Sequence, residues 1–456
     1  MPAYSAFTDK AKSPAKVWLM TTTQWEKASG LPASLMAMAT AQEFKAKPGQ
    51  TVMTANTDGE IDAILFGLGN GKDALAVAAL SAKLPKGDYE IAADGGLTFA
   101  QIAAGWADGA YRFDRYLKDK ATPPHLVIGD DEAAEAVTRE AIAIHRLRDL
   151  VNTPAEDMGP VAIQGTISDL AERHGATLET VIGDALLEQN YPLVHAVGRA
   201  GPEAPRIMEL TWGPEDAPEL ALVGKGVTFD TGGLNLKTGN YMRLMKKDMG
   251  GSAHAIALAE LVMGANLPVR LKLYIPAVEN AISGTAFRPG DVLSSRKGLS
   301  VEIDNTDAEG RLILADALTR ASESNPDLLI DFATLTGAAR VALGPDLAPY
   351  YTDDEPLAAQ IAEGSASSGD PAWRMPLWDP YLSMLKSPIA DLVNSASSSF
   401  AGSLTAAMFL KQFVDADRWV HLDIWAWREG KYGRPAGGAA CGLRAIWDAV
   451  QARYAN

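Results

Sequence analysis

Short apolar runs alternate with alanine-rich stretches along this chain. Ile61–Phe66 reads as a buried strand, a glycine-rich turn follows it, and Asp73–Lys83 reads as a helix. Such alternation predicts an α/β domain with a largely parallel sheet, ending near Thr122–Ile128. Glu132–Leu150, rich in Ala, Glu and Arg, predicts a connecting helix, and the breakers Asn152-Thr153-Pro154 and Gly159-Pro160 follow it. A second and longer alternation begins near residue 161. Its predicted strands include Leu220–Val223, Arg270–Ile275, Ser300–Asp304, Leu328–Asp331 and Trp419–Asp423. Gly251–Met263 and Arg311–Glu323 carry apolar residues at three- and four-residue spacing and predict helices. A chain of 456 residues exceeds one ordinary core. The expected organisation is an N-terminal α/β domain over 1–131, a connecting helix and linker over 132–160, and a C-terminal α/β domain over 161–456 with a mixed, mainly parallel sheet.

Composition changes this picture little but narrows the partners. With 47% hydrophobic and 21% charged residues the chain is ordinary for a globular protein. Its net charge of −16 repels phosphate backbones, so nucleic acid is not expected as a general partner. A single cysteine, Cys441, cannot form an internal disulfide and fits a reducing compartment. Met1–Trp18 holds Lys10, Lys12 and Lys16 without the apolar stretch of a secretory leader, and no run is long and apolar enough to span a bilayer. These features together read as cytoplasmic.

Candidate chemistry gathers where predicted strands end, which is where open α/β sheets place their ligands. The strand at Ala221 runs into Gly224-Lys225-Gly226 and on to Asp230-Thr231-Gly232-Gly233, with Lys237 in the next loop. Asp248 precedes a Gly250-Gly251 pair that opens a helix. Asp307, Glu309 and Arg311 fall in the turn between a strand and a helix. Converging acidic groups repel and raise one another's pKa, and a dinuclear metal centre removes that conflict. Each residue alone has a plainer use: an Asp at a helix start is more often a cap. The set and its spacing carry the inference.

Three segments resemble the leucyl aminopeptidase (cytosol aminopeptidase) family of dinuclear metallopeptidases. They are Gly224–Gly233 with Lys237, Lys247–Gly251, and Asn305-Thr306-Asp307-Ala308-Glu309-Gly310-Arg311-Leu312. Further echoes lie at Tyr111–Tyr116, Arg148–Pro154, Pro289–Val292, Ala333–Gly337 and Ala406–Leu410, and the N-terminal third matches weakly. The resemblance implies a macro-like N-terminal domain and a catalytic C-terminal domain that removes N-terminal residues from peptides by a two-metal-activated water. It implies two divalent ions, Mn or Zn, with Mg or Co as alternatives at the exchangeable site. Asp230 and Glu309 would bridge them, Lys225 and Asp248 would complete the tighter site, and Asp307 the other. Lys225 would then bind as the neutral amine. Lys237 and Arg311 would be the catalytic pair, Arg311 holding a bicarbonate base. Thr334, Leu335 and Gly337 would bind substrate through backbone groups. Met245 would wall the side-chain pocket, ordinary core packing being its plainer use. A homohexamer acting on short peptides is implied as the assembly.

Some features depart from the pattern. Thr231 replaces a more usual Ser, and Trp425 and Trp427 follow Asp423 where small residues are common. The two tryptophans are read as core or interface packing, with a narrowed cleft as the other option. Gly67–Asp73 lacks the Lys-Ser/Thr ending of a P-loop and reads as a tight turn. The six histidines show no zinc-peptidase pair, and His254 reads as structural. A metal-dependent dipeptidase or amidase of narrower specificity, and an aminopeptidase-fold DNA-binding protein, are the alternative functions.

Overall fold

The computed structural model describes residues 6–120, 122–431 and 434–455; residues 1–5, part of the N-terminal stretch read for a leader, lie outside the described residues. The chain divides into two compact units. One runs to His145 and includes Arg428–Gly437; the other comprises Arg146–Trp427 and the segment from Gly438 onward. The division falls inside the helix Glu132–Asn152, within the stretch 132–160 read as the connector. Arg428–Gly437 returns to the first unit because its charges are answered there. Arg428 Nη1 lies 2.8 Å from Asp108 Oδ2, and Arg434 Nη2 lies 2.7 Å from Asp73 Oδ1.

The first unit is built on a mixed sheet of β1 (Phe7–Thr8), β2 (Ala15–Thr21), β3 (Thr51–Ala55), β4 (Ile61–Gly69), β5 (Gly87–Ala93) and β6 (Pro124–Val127). The order is β1-β6-β5-β2-β4-β3, and only β3 runs antiparallel to its neighbour. The helix Phe99–Ala110 starts at a Thr98/Gln101 capping box and buries Trp106, whose Nε1 donates to the Pro124 carbonyl at 3.0 Å. The helix expected over Asp73–Lys83 shrinks to Ala78–Ser81. The Asp73 carboxylate accepts the Leu75 N–H, and the following amides bond three residues back instead of four, so tight turns replace the first helical turns.

The second unit carries β7 (Thr177–Ile182), β8 (Arg206–Trp212), β9 (Glu219–Gly224), β10 (Gly226–Asp230), β11 (Arg270–Asn280), β12 (Val292–Ser294), β13 (Ser300–Glu302), β14 (Leu328–Ala333), β15 (Ala348–Tyr351), β16 (Ala372–Met375), β17 (Leu392–Val393) and β18 (Trp419–Asp423). Nine of them form one sheet in the order β16-β15-β18-β14-β9-β11-β8-β7, with β10 also paired to β11. The central run β18-β14-β9-β11 is parallel, and antiparallel pairs lie outside it. β14 and β18 are buried throughout, as the largely apolar central strands of a covered parallel sheet must be. β11 outlasts its sequence prediction by five residues because its second half pairs with β10 after its first half has paired with β9.

The two predicted helices run over Gly250–Gly264 and Gly310–Ser322. Both are buried around nearly their whole circumference, not on one face. Small residues between the large apolar ones permit that close packing. Ala221, Val223 and Leu329 share a core with Ile313, Ala317 and other residues of the second helix. Among the described residues no helix is long and apolar enough to cross a membrane.

Candidate active site

Lys225 sits where the chain passes from β9 to β10. Its N–H bonds the Phe332 carbonyl of β14 and its carbonyl receives the Ser252 N–H, so the backbone is pinned to a strand on one side and a helix start on the other. Glycine at 251 permits this approach: a Cβ there would lie 2.2 Å from the Phe332 oxygen. Asp230 ends β10, Asn280 ends β11, Thr334 follows β14 and Asp423 ends β18, so strand ends supply one wall of the site. Asp248 and Glu309 stand at the starts of the two buried helices.

The loops bearing the remaining groups are stitched together. Thr306 Oγ1 donates to the Gly232 carbonyl at 2.7 Å, and Asn235 Oδ1 accepts the Thr306 N–H at 2.8 Å. Asn394, fully buried, accepts the amides of Asp304 and Asn305 and donates to the Asn305 carbonyl at 2.7 Å. These bonds fix the turn that presents Asp307.

Within this frame the charged groups converge. Lys225 Nζ lies 2.6 Å from Asp248 Oδ2 and 3.0 Å from Glu309 Oε1, and donates to the Thr334 carbonyl at 2.8 Å. Lys237 Nζ lies 2.7 Å from Asp230 Oδ2 and 2.5 Å from Asp307 Oδ1. Asn280 Nδ2 donates to Asp230 Oδ1 at 2.8 Å, and Thr334 Oγ1 donates to Asp248 Oδ1 at 2.8 Å. Burial, and then Asp248, pushes the Asp230 carboxyl up to about 6; burial, and then Asp230, pushes Glu309 up to about 7. Burial also raises Asp307; at Asp248 burial acts the same way, but Lys225, Lys247 and Lys237 together hold its carboxyl low. Burial lowers Lys225, but Asp248, Glu309 and Asp230 together hold its amine above the ordinary lysine value. With the protein's own groups alone Lys225 is therefore an ammonium; the neutral ligand form requires adjoining cations.

The donor set fits divalent metal. One oxygen each of Asp230, Asp307 and Glu309 lies within 4.8 Å of the others. Hard cations bind such oxygens at ~2.0–2.2 Å, so opposite ligands of one ion stand ~4.2 Å apart. Asp248 Oδ2 and Asp307 Oδ1 are buried and accept no aligned hydrogen bond, though a lysine nitrogen is close to each. Oxygens crowded together yet poorly bonded to protein donors are suited to a cation.

All the expected site residues except Arg311 border one cleft of about 570 Å³: Lys225, Asp230, Lys237, Met245, Asp248, Asp307, Glu309, Thr334, Leu335 and Gly337. Arg311 is buried beneath the turn. Its Nη1 donates to the Asn394 carbonyl at 2.6 Å, its Nε has no partner, and burial draws its guanidinium down to about 10. Among the described residues no carboxylate comes within ion-pair distance of it. His254 is structural, as expected: Nδ1 faces the Gly250 carbonyl at 2.6 Å and Nε2 accepts the Cys441 N–H at 2.9 Å. Of the two half-buried tryptophans, Trp425 borders the cleft, which favours the narrowed-cleft option for it, and Trp427 does not. Asn280, Asn394 and Lys247 escaped the sequence reading. Lys247 had a signal, its place beside Asp248; Asn280 and Asn394 act through contacts distant in sequence.

Residues 145–447 match the family model of the cytosol aminopeptidase catalytic domain, and residues 17–129 that of the M17 aminopeptidase N-terminal domain. The chain belongs to the cytosol aminopeptidase family. It is a metallo-hydrolase acting on peptide N-termini, an M17 aminopeptidase. Over 429 residues the aminopeptidase is 37% identical to a protein of Synechococcus sp. described as a probable cytosol aminopeptidase, covering 89% of this chain and 88% of the relative. The cytosol aminopeptidase of Coxiella burnetii superposes with a TM-score of 0.92 at 40% identity, covering 98% of this chain and 99% of that one. The bottromycin maturation enzyme BotP, solved in complex with Mn, superposes with a TM-score of 0.86 at 34% identity, covering 97% and 100%.

Proposed function

We propose that this aminopeptidase works with two divalent cations, Mn or Zn, with Mg or Co as alternatives at the weaker site. Lys225, Asp230, Asp248, Asp307 and Glu309 would hold them. Asp230 and Glu309 would lie between the ions, Lys225 and Asp248 on the tighter one and Asp307 on the exchangeable one. The observation that carries this reading is the approach of Asp230, Asp307 and Glu309 within 4.8 Å at the floor of a cleft. When bound, such ions supply an ionised water and polarise the scissile carbonyl.

The chain's own groups do the rest. Burial works against the Lys237 ammonium, but Asp230, Glu309 and Asp307 keep it protonated, so it is a fixed cation suited to an oxyanion. The unpartnered Arg311 Nε suits a small anion such as bicarbonate, which would supply a base. Asp423 accepts the N–H groups of Leu335 and Thr336 at 3.2 and 3.1 Å. It thereby sets the strand-end backbone through which Thr334, Leu335 and Gly337 would bind the substrate. Met245 would wall the side-chain pocket. Short peptides, a cytoplasmic setting and a homohexamer complete the proposal.

The test is removal of metal by chelation, followed by add-back of Mn, Zn, Mg or Co with leucyl anilide as substrate. Activity should vanish and return with one or more ions, and Asp307→Ala and Glu309→Ala should stay inactive while folded. Full turnover in a metal-stripped sample, or an active folded Glu309→Ala, overturns the reading.

A further inference from the structure

One cation in the cleft has no direct counter-ion, the neighbouring Asp248 acting on it only through space. Lys225 and Lys237 each face two carboxylates, and Arg340 is engaged by the Asp423 carbonyl and lies 3.5 Å from its Oδ1. Lys247 borders the same cleft with a residue exposure of only 2%, yet its ammonium makes no hydrogen bond or ion pair with any described residue. Its contact is with the face of Trp425, whose ring centroid lies 4.1 Å from Nζ. A buried ammonium carries a desolvation cost that an aromatic face offsets only in part. Both members of the pair depart from pure packing. Trp425 presents its ring at the cleft as a platform, and Lys247 lies across it two residues beyond Met245.

We infer that Lys247, laid on Trp425, selects substrates whose N-terminal residue has a carboxylate side chain, glutamate or aspartate. The inference rests on the proposed cleavage of N-terminal residues in this cleft and adds the substrate class. A carboxylate entering past Met245 supplies a directly hydrogen-bonded counter-ion in a region already shielded from water, and a charge-assisted hydrogen bond is about twice as strong as a neutral one. An apolar side chain leaves the ammonium desolvated without a partner, and a basic one is repelled. A glutamine side chain has the same shape as glutamate but only a neutral acceptor. Glutamate and glutamine therefore isolate the charge.

The experiment measures kcat/KM of the metal-loaded enzyme for glutamyl, glutaminyl and leucyl anilides, in wild type, Lys247→Met and Lys247→Arg. Wild type should favour glutamyl over glutaminyl by ~10-fold or more, the ratio expected when a neutral hydrogen bond is exchanged for a charge-assisted one. Lys247→Met should bring the ratio to about 1 chiefly by loss of glutamyl turnover, and Lys247→Arg should retain a preference. Calorimetric binding of free L-glutamate and L-glutamine gives a readout independent of turnover, and wild type should bind glutamate ~10-fold more tightly. Hydrolysis of leucyl anilide with equal glutamyl and glutaminyl rates overturns this inference alone. So does an unchanged ratio in Lys247→Met. A wild type that hydrolyses none of the three overturns the proposed cleavage as well. Should Lys247→Met fail to fold, the wild-type ratio and the calorimetry still decide.

Discussion

Gly310 has a role that only its surroundings reveal. A Cβ added there would lie 2.4 Å from Lys225 Cε and 2.7 Å from both its Cδ and Nζ, where ordinary contact begins at 3.4 Å. In Gly310→Ala the lysine must therefore retreat by ~1 Å, away from the position in which its partners hold it. Lys225 is almost completely buried, and Asp248, Glu309 and the Thr334 carbonyl hold its nitrogen at 2.6, 3.0 and 2.8 Å. Overpacking of this kind costs about 1–3 kcal/mol. If that cost falls on the arrangement that binds metal, at ~1.4 kcal/mol per tenfold, affinity at the tighter site drops by ~5- to 150-fold. The assay is a metal titration of chelated enzyme, followed by calorimetry and by recovered turnover, with the melting temperature measured beside it. Gly165→Ala is the control. Its Cβ meets nothing within 4 Å in the helix Pro160–His174, so it should leave metal affinity alone and stabilise by about 0.5–1 kcal/mol. A folded Gly310→Ala with wild-type metal affinity would refute the reasoning.

Two further outcomes follow from the same geometry. His254 is buried as the neutral ring, its Nε2 accepting from Cys441 and burial drawing its pKa down to about 4 from 6.5. The unfolded chain takes up this proton as pH falls through 6.5 and the folded chain only near 4. The histidine's contribution, about 3 kcal/mol, is therefore present above 6.5 and lost between 6.5 and 4. His254→Gln should flatten that part of the stability profile. A His254 resonance titrating near 6.5 in the folded protein would contradict this. Asn394→Ala removes the side-chain bonds to Asp304, Asn305 and Ala308 that shape the Asp307 turn, and should lower both melting temperature and metal occupancy. Unchanged occupancy measured by elemental analysis would assign Asn394 a purely structural role.

The sequence by itself determined the α/β class and the identities of the acidic and basic groups. Largely apolar runs such as Leu328–Asp331 and Trp419–Asp423 have one stable place, the middle of a covered parallel sheet, and strand ends are where its ligands gather. The carboxylates and lysines therefore announce themselves in local segments. Tertiary structure decided what depends on approach from elsewhere in the chain. Periodicity predicted helices with one apolar face, but the layers packed over Gly250–Gly264 bury it on all sides. The turn residue Asp73 overrode helix propensity in the segment that follows it. Asn280 and Asn394 hold the site through partners 26 to 90 residues away, a range at which no spacing rule operates. Trp425, ambiguous in sequence, became a cleft wall because the backbone after β18 places it beneath Lys247. Composition records that a lysine is present; only the fold leaves Lys247 buried against an aromatic face with no hydrogen-bonded carboxylate.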